Sequence, residues 1–251
     1  MWQDIWLHGF IQPIYNLLIL AYHPFHDLGF AIIVVTFVIR LILWPLFNRQ
    51  MRAQKDMAAL QEDIKHLREK HKEDAKKLQQ ETLALYRDRG VSPFDGCLPL
   101  ILQMPIFIAI YQVFRSYLGV DSFNLIYSFL PHPASISPIA FGFLDLTKVD
   151  FYLLPYLAGI TQFIFGYMMT LNAKKDQSKV NGDVAPEQKQ MEMIQKSTNY
   201  FMPFFFVLIS FSLPAAIVLY FVASNLFSIG QYYIFNKKKL RIKIKKVNAQ
   251  K

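Results

Sequence analysis

The stretch FAIIVVTFVIRLILWPLF, residues 30–47, carries a single charged residue, Arg40, in an otherwise strongly apolar run. A run of about 18 apolar residues is long enough to cross a bilayer as a helix. The 251-residue chain is 53% apolar and 16% aromatic, and it has further long stretches without any charge. This composition predicts a membrane protein. The question is then what a full charge does inside a span.

Five apolar stretches predict an all-α polytopic membrane protein with five transmembrane helices, because helices keep every backbone group paired in lipid. The N-terminal stretch mixes tryptophans, histidines and Pro13 with apolar residues, which favours a helix lying in the membrane interface. The predicted segments are an N-terminal interfacial segment (1–27), span 1 (28–48), a cytoplasmic helical hairpin (49–95), span 2 (96–116), an extracytoplasmic loop (117–150), span 3 (151–172), a cytoplasmic loop (173–198), span 4 (199–212), span 5 (213–235) and a basic cytoplasmic tail (236–251).

Basic residues are concentrated on one side of the predicted spans. Of the 27 Lys and Arg, eleven fall in residues 48–93, five in 173–198 and eight in 236–251. With five spans these three segments share one side, which the positive-inside rule assigns to the cytoplasm. We therefore expect the N-terminus outside and the C-terminus inside. No Lys or Arg precedes Arg40, so neither a secretory signal nor a transit peptide is expected, which favours a bacterial plasma membrane.

The segment between spans 1 and 2 has the pattern of two short amphipathic helices. Apolar stripes at helical spacing predict an antiparallel hairpin that turns at KHKED, residues 70–74. The stripes are Met57, Leu60, Ile64 and Leu67, followed by Ala75, Leu78, Thr82 and Leu85. The charges of this segment are nearly balanced, which fits a solvated loop as well as a surface that docks a partner or the membrane.

The tail KKKLRIKIKKVNAQK has eight basic residues and no acidic one. Such a run beside a span attracts anionic lipid, at roughly 1 kcal/mol per charge. It would also attract RNA through its phosphates. Membrane lipids and the ribosome are therefore both candidate partners of the tail.

Arg40 lies roughly 10 Å from the cytoplasmic end of its predicted span. Its side chain leans toward the helix N-terminus, away from that end, so simple snorkelling is unfavourable. No Asp or Glu falls inside any predicted span, so the usual carboxylate partner of a buried cation is missing unless a loop acid such as Asp95 folds inward. Water, backbone, uncharged side chains or a transient guest remain.

Polar residues at helical spacing could line a hydrated, cationic cavity around Arg40. Thr36 lies one turn from it on the same face, and Gln103 lies within span 2. The other candidates recur every three or four residues along one span: Gly159, Gln162, Gly166 and Thr170 in span 3, and Tyr220, Ser224, Ser228 and Gln231 in span 5. Faces of small and hydroxylated residues also occur where helices simply pack closely, which is the alternative for span 3.

No motif indicates enzymatic chemistry. The sequence has no GxxxxGK[ST] loop, no metal-spaced Cys and His set and no nucleophile with a base, so we expect neither an enzyme nor a cofactor. His66 and His71 lie off a common helical face and are expected at the surface. Two other classes stay open. A small transporter would bind an anionic solute at Arg40, although we find no internal repeat, and a structural assembly factor would have a lipid-filled groove.

Three runs resemble the YidC family of membrane protein insertases, which includes mitochondrial Oxa and chloroplast Albino relatives. They are IRLILWPLFNRQMRAQKDMAALQ (39–61), YRDRGVSPFDGCLPLILQMPIFIAIYQVF (86–114) and SLPAAIVLYFVASNLFSIGQYYI (212–234). The resemblance implies five spans around a hydrophilic groove, open to the cytoplasm and to lipid, with the arginine of the first span in it and a cytoplasmic hairpin after it. On this basis the groove is assigned to Arg40, Thr36, Gln103, Gln162, Tyr220 and Ser224.

The resemblance also implies a function. Members insert newly made membrane proteins and assist their folding, alone or beside the Sec translocon. Nascent membrane proteins, the Sec translocon and the ribosome are therefore the expected partners. The chain resembles the compact form, without a large periplasmic domain, an extra N-terminal span or a lipobox-like cysteine. It departs from the family at Phe221, where a second tyrosine often follows the first.

Overall fold

The computed structural model describes residues 2–71, 74–90, 98–116, 124–133, 135–177 and 203–249. These residues are overwhelmingly helical, which confirms the all-α prediction. In chain order the elements are α1 (Trp2–Trp6), a π-helical turn (Leu7–Ile11), α2 (Gln12–Phe25), α3 (Leu28–Ile42), α4 (Trp44–Lys70), α5 (Ala75–Asp88), α6 (Leu98–Ser116), β1 (Ile139–Ala140), β2 (Leu144–Asp145), α7 (Leu154–Gln177), α8 (203–210) and α9 (Ala215–Ala249).

Within the part of the chain that the structure describes, two helical stretches are long and apolar enough to cross a membrane by themselves, the 23 residues Gln3–Phe25 and the 22 residues Ala215–Asn236. A third candidate is a bent pair, Leu28–Ile42 with Trp44–Ala53. The interfacial position of residues 1–27 stays a prediction, because length and composition also allow this stretch to cross.

The first predicted span is not one straight helix. Its helix ends at Ile42, and the chain turns by 65° before continuing from Trp44 as the first arm of the hairpin. Pro45, at the start of α4, explains the break, because a proline suits the first turn of a helix but has no N–H for the preceding turn, and its ring clashes with the carbonyl four residues earlier. The hairpin therefore begins at Trp44 rather than at residue 49.

The hairpin itself forms as predicted from α4 and α5. Leu60 and Ile64 of the first stripe are buried, and the second arm begins at Asp74, whose carboxylate caps the backbone N–H of Lys77 at 2.9 Å. The Arg89–Asp63 ion pair, at 2.7 Å, joins the arms, and His71 Nε2 lies 2.9 Å from the Glu81 carboxylate. His71 is therefore partly enclosed between the arms, whereas the sequence predicted a surface position.

The helices α2, α3, α6 and α9 meet in one apolar core. Each contributes buried side chains to it, such as Ile19, Ala31, Val113 and Val218. The prediction of a tight connection before the last helix is confirmed, since only residues 211–214 separate α8 from α9. The α9 helix continues through the basic tail to Ala249.

A loop caps the end of the bundle where α3, α7 and α9 begin. Asp150 accepts hydrogen bonds from three backbone N–H groups, up to that of Leu154, the first residue of α7. The carbonyls of Lys148 and Leu146 accept from the N–H groups of Ala215 and Ala216 at 2.7 and 3.1 Å. These bonds satisfy donors that a helix start leaves free.

The same loop contains the β1–β2 hairpin, which rests on the start of α3. Asp27 caps α3 by accepting from Phe30 N at 3.0 Å, and its other carboxylate oxygen accepts from Phe141 N at 2.6 Å. A Cβ at Gly29 would lie 2.7 Å from the Cβ of Ala140. The hairpin and the helix are therefore in close contact at a position that only glycine permits.

A buried polar cluster around Arg40

One face of α9 carries the polar side chains of the candidate site. Tyr220, Ser224, Ser228 and Gln231 recur every three or four residues along this helix, and all four are buried. Ser228 donates to the backbone carbonyl of Ser224 at 2.9 Å. A polar face of this kind inside an apolar bundle is expensive unless it has partners on neighbouring helices.

Arg40, on α3, is the charged partner of that face. Its side chain is only 7% exposed. The guanidinium donates to the Ser224 hydroxyl through Nε, at 3.0 Å, and through Nη2. Among the described residues no carboxylate lies within ion-pair distance of it. The prediction that uncharged groups must satisfy Arg40 fits this geometry, and Ser224 is a resident partner.

The second partner of Arg40 is an aromatic ring that the sequence did not indicate. The guanidinium carbon lies 4.3 Å from the centroid of the Phe47 ring. The bend at Leu43 brings this ring back over the arginine. Phe227 of α9 braces the bend by contacting the rings of Phe37 and Trp44 at 5.4 and 5.7 Å between centroids. A cation over an aromatic face is stabilised by about 0.5–2 kcal/mol.

Thr36 and Gln103 meet Tyr220 rather than the guanidinium. Thr36 donates to its own helix at the carbonyl of Ile32, at 2.7 Å, and its side chain shares with Tyr220 the lining of a cavity of about 10 Å³. This volume is close to the minimum that one water needs. Gln103 of α6 donates to the Tyr220 hydroxyl. Tyr220 therefore connects α6 to the cluster.

In span 3 the buried contact to α9 is made by Thr161, and the assignment of Gln162 to the groove stays a prediction. Thr161, next to the predicted Gln162, is the buried polar group of α7 that accepts from Asn225 of α9, at 3.3 Å. Gln162 is half-buried. Gly159 packs against α8, where an added Cβ would lie 2.3 Å from Val207, so this part of the small-residue face serves close packing. The side chain of Thr170 lies outside the described residues.

Gln231 forms the end of the cluster that contacts α4. Its side-chain amide donates to the Trp44 carbonyl at 3.2 Å and to the Asn48 side chain at 3.3 Å. These bonds join α9 to the start of α4. Asn48, Asn225 and Thr161 were missed because each falls outside the polar repeats that the sequence singled out.

Arg40 has more donors than the described residues have acceptors for it. A guanidinium has five N–H donors, and Ser224 accepts from two of them. No other described side chain or carbonyl accepts from Arg40. A full positive charge that keeps unused donors in an apolar bundle is suited to a carboxylate, whose charge and two oxygens match the guanidinium.

Comparison with known proteins bears on what this cluster belongs to. The sequence profile of the family described as 60Kd inner membrane protein matches residues 20–243. A membrane protein insertase YidC from Clostridium tetani is 32% identical over 231 residues, covering 92% of this chain and 89% of that protein. The chain belongs to the YidC family. The resemblance found in the sequence is confirmed.

Other YidC relatives differ in length. The membrane protein insertase MisCA of Bacillus subtilis is 33% identical over 211 residues, 82% of this chain and 69% of that protein. The YidC of Syntrophus aciditrophicus is 33% identical over 234 residues, which are 92% of this chain but only 37% of its own length. The chain thus spans little more than a third of some YidC proteins and most of others.

The departure from the family at position 221 has a structural counterpart. Phe221 packs between the rings of Phe107 and Phe206, with centroids 5.4 and 5.2 Å away. An apolar ring suits that aromatic setting. The adjacent Tyr220 carries a hydroxyl group at this level of α9, and that hydroxyl accepts from Gln103.

Proposed function

We propose that this YidC-family protein inserts newly made membrane proteins into the bilayer and assists their folding, without an enzymatic step. The observation that supports this most directly is Arg40, a buried cation with an uncharged hydroxyl and a ring as its described partners. Relatives that share the whole region are named membrane protein insertases.

The physical task is to carry a polar tail of a client across lipid. A carboxylate at the centre of the bilayer costs about 2.5–3.5 kcal/mol even on insertion scales. At Arg40 an acidic side chain of the client would replace the Ser224 hydroxyl as acceptor. Charge-assisted hydrogen bonds are about twice as strong as neutral ones, so the exchange lowers the barrier while leaving Ser224 free to rebind afterwards.

Release needs no energy source in this proposal. Once the tail has passed Arg40, the apolar segment that follows it moves from the protein into lipid, where its own burial in hydrocarbon is favourable. Thr36, Gln103, Gln162 and Tyr220 are proposed to line the path with Arg40 and Ser224. Water entering this path would complete the hydrophilic groove expected of the family.

We place the hairpin and the α9 extension in the cytoplasm and the N-terminus outside, following the distribution of basic residues. Nascent membrane proteins are the proposed clients. The ribosome and the Sec translocon are proposed partners at the cytoplasmic side, where the tail offers eight basic residues in 236–251. Single-cysteine labelling from either side of the membrane, in a Cys97→Ala background, would test this orientation.

A crosslinking experiment tests the function. A photoreactive phenylalanine at Tyr220 should capture a ribosome-bound single-span client that has a short acidic N-tail. The matched control is Leu226 on the same helix, which is 55% exposed and points away from the cluster. We expect the client at position 220 and lipid at position 226.

Two results would overturn the proposal. Capture of lipid alone at both positions would remove the client from the cluster and favour an assembly factor. Capture of a small anion at position 220, without any crosslink to a client, would favour the transporter. A client whose acidic tail residues are replaced by Asn should crosslink less at position 220.

A further inference from the structure

The exposed apolar surface of α3 continues beyond the helix. Along α3 the exposed large side chains lie at intervals of three, four and four residues: Phe30, Ile33, Phe37 and Leu41. This spacing forms one stripe, which we call the α3 stripe. In a membrane protein such a stripe faces lipid.

The α3 stripe is too short to cross a bilayer by itself. The helix has 15 residues, or about 22 Å at 1.5 Å per residue, whereas the hydrocarbon core is about 30 Å thick. Additional apolar surface at either end of the helix would therefore complete the crossing, and α4 continues from one of those ends.

The β1–β2 hairpin supplies such surface at the other end, where α3 begins. The ring of Phe30, at the top of the stripe, contacts Phe25 and Phe141 at 5.7 and 5.3 Å between centroids. Phe141 in turn contacts Phe143, at 6.5 Å. Phe143 stands at the end of this series and is 70% exposed. A continuous line of aromatic rings thus leads from the lipid-facing stripe to the tip of the loop.

The backbone at this tip is held in an unusual conformation. Phe141 has a positive φ of 53°, which a side chain of its size rarely adopts, and Gly142 follows with 79°. Such a conformation persists where the surroundings determine it. Here the Asp27 carboxylate bonds Phe141 N, and Gly29 allows the hairpin to touch α3. The tip is therefore fixed in place with Phe143 pointing outward.

The start of α7 repeats the arrangement independently. Its exposed side chains include Tyr156, Ile160, Phe163 and Tyr167. Directly before the helix, Asp150 holds the backbone of residues 152–154. This leaves Phe151 and Leu153 exposed, and Tyr152 is 89% exposed. A second series of apolar residues thus extends a helix surface into the loop.

We propose that Phe143 and the Phe151–Leu153 segment insert into the headgroup and acyl boundary of the adjacent leaflet and form an aromatic collar at this end of the bundle. Continuity with the helix surfaces identifies lipid as the occupant. Phe and Tyr at this level match the aromatic belts of membrane proteins. The collar carries no charge, so it requires no anionic headgroup. This inference is independent of the insertase function and of which leaflet faces outward.

Spin labels would test the collar in the full chain. Cysteines at Phe143→Cys and Tyr152→Cys, each in a Cys97→Ala background, would be labelled and reconstituted in phosphatidylcholine vesicles. Ser135→Cys, a polar and exposed position of the same loop, is the matched control. Both native side chains are mostly exposed, so labels there disturb little packing, and Phe143→Cys removes only the described ring contact with Phe141.

The expected result is a difference in collision with relaxing agents. Labels at 143 and 152 should be several-fold more accessible to oxygen, which dissolves in lipid, than to a water-soluble nickel chelate, and the label at 135 should show the reverse. Adding phosphatidylglycerol should leave the ratio unchanged. Water-like accessibility at 143 and 152 would overturn the proposal. Protection from both reagents would also overturn it, because it would indicate a protein partner such as a second copy.

Discussion

The two ends of α3 treat polar groups in opposite ways. At its start both carboxylate oxygens of Asp27 have backbone partners, one at Phe30 N and one at Phe141 N. Near its other end the five donors of Arg40 have, among the described residues, one hydroxyl as acceptor, that of Ser224, and one aromatic ring beside them. Each carboxylate oxygen of Asp27 has a hydrogen-bond partner, whereas most N–H donors of Arg40 have none among the described residues.

The two ends of α3 therefore have different roles: Asp27 stabilises the fold, and Arg40 is proposed to bind a client. The Asp27 carboxylate bonds both α3 and the loop that contains the β1–β2 hairpin, and so stabilises their contact. An unsaturated cation adds little stability, because leaving donors unmet in an apolar setting is costly. A ligand that supplies further acceptors would satisfy it, which is the basis of the proposed function. Changes at the two ends should therefore affect different measurements.

Reversing the charge of Arg40 should have the largest effect. Arg40→Glu would repel an acidic client tail, and a lost electrostatic contribution of about 3 kcal/mol corresponds to about a hundredfold slower insertion. Arg40→Lys should retain much more activity, because it keeps the charge although it loses the paired bonds to Ser224. Insertion of a single-span client into liposomes by the purified chain measures both. Equal activity of the two variants would show that charge at this end does not bind clients.

Removing the acid at the other end should lower stability instead. Asp27→Ala deletes a helix cap and a hydrogen bond to a charged acceptor, so the free energy of unfolding should fall by about 2–4 kcal/mol. Asp27→Asn is the control, since its one remaining oxygen can still cap α3 but cannot also bond Phe141 N. Denaturation in detergent, together with the insertion assay at a temperature where both variants are folded, separates the two effects. An insertion defect in the folded Asp27→Asn variant would break the contrast.

Two glycines offer a matched test of the contact below the hairpin. At Gly29 a Cβ would lie 2.7 Å from Ala140, so Gly29→Ala should destabilise the protein by about 1–3 kcal/mol through overpacking. At Gly230, in α9, an added Cβ meets nothing within 4 Å, so Gly230→Ala should stabilise by about 0.5–1 kcal/mol. Unfolding midpoints under the same conditions measure both. A stabilising Gly29→Ala would show that the hairpin is not seated on α3.

The smallest effect is expected from lowering the pH, which acts on the Asp145–Lys148 ion pair in the loop. Hydrogen bonds from Lys148 first, and then from Thr147, lower the pKa of Asp145 from 3.8 to about 2. A lowered pKa means that the carboxylate stabilises this turn fully above pH 3.8 and loses that effect as the pH falls toward 2. Carbon NMR of the Asp145 carboxyl would follow the titration. In Lys148→Met the pKa should return toward 3.8, and an unchanged value would exclude the pair as its cause.

Much of this architecture could be predicted because it depends on periodicity. The α9 face from Tyr220 to Gln231 and the two stripes of the hairpin repeat at the spacing of a helix, and a helix projects such residues on one side whatever surrounds it. The isolation of Arg40 was predictable by counting, since no carboxylate occurs in the predicted spans.

The remaining features depend on where helices bend and meet, which periodicity does not encode. Pro45 was a usable signal for the break after Ile42, but nothing in the sequence says that a 65° turn places Phe47 over Arg40. The contact of Thr161 with α9 depends on the rotation of α7 against α9. The cap of α9 depends on backbone carbonyls, which every residue type has.

Those carbonyls have a consequence for how the protein can change. The start of α9 is capped by the main chain at Leu146 and Lys148, so the two bonds persist whatever side chains stand there. Substitutions in this stretch should therefore be tolerated with respect to the cap. Adding or deleting one residue between Asp145 and Asp150 would shift both carbonyls out of register. For the cap of α9, the length of this stretch therefore matters more than which residues it contains.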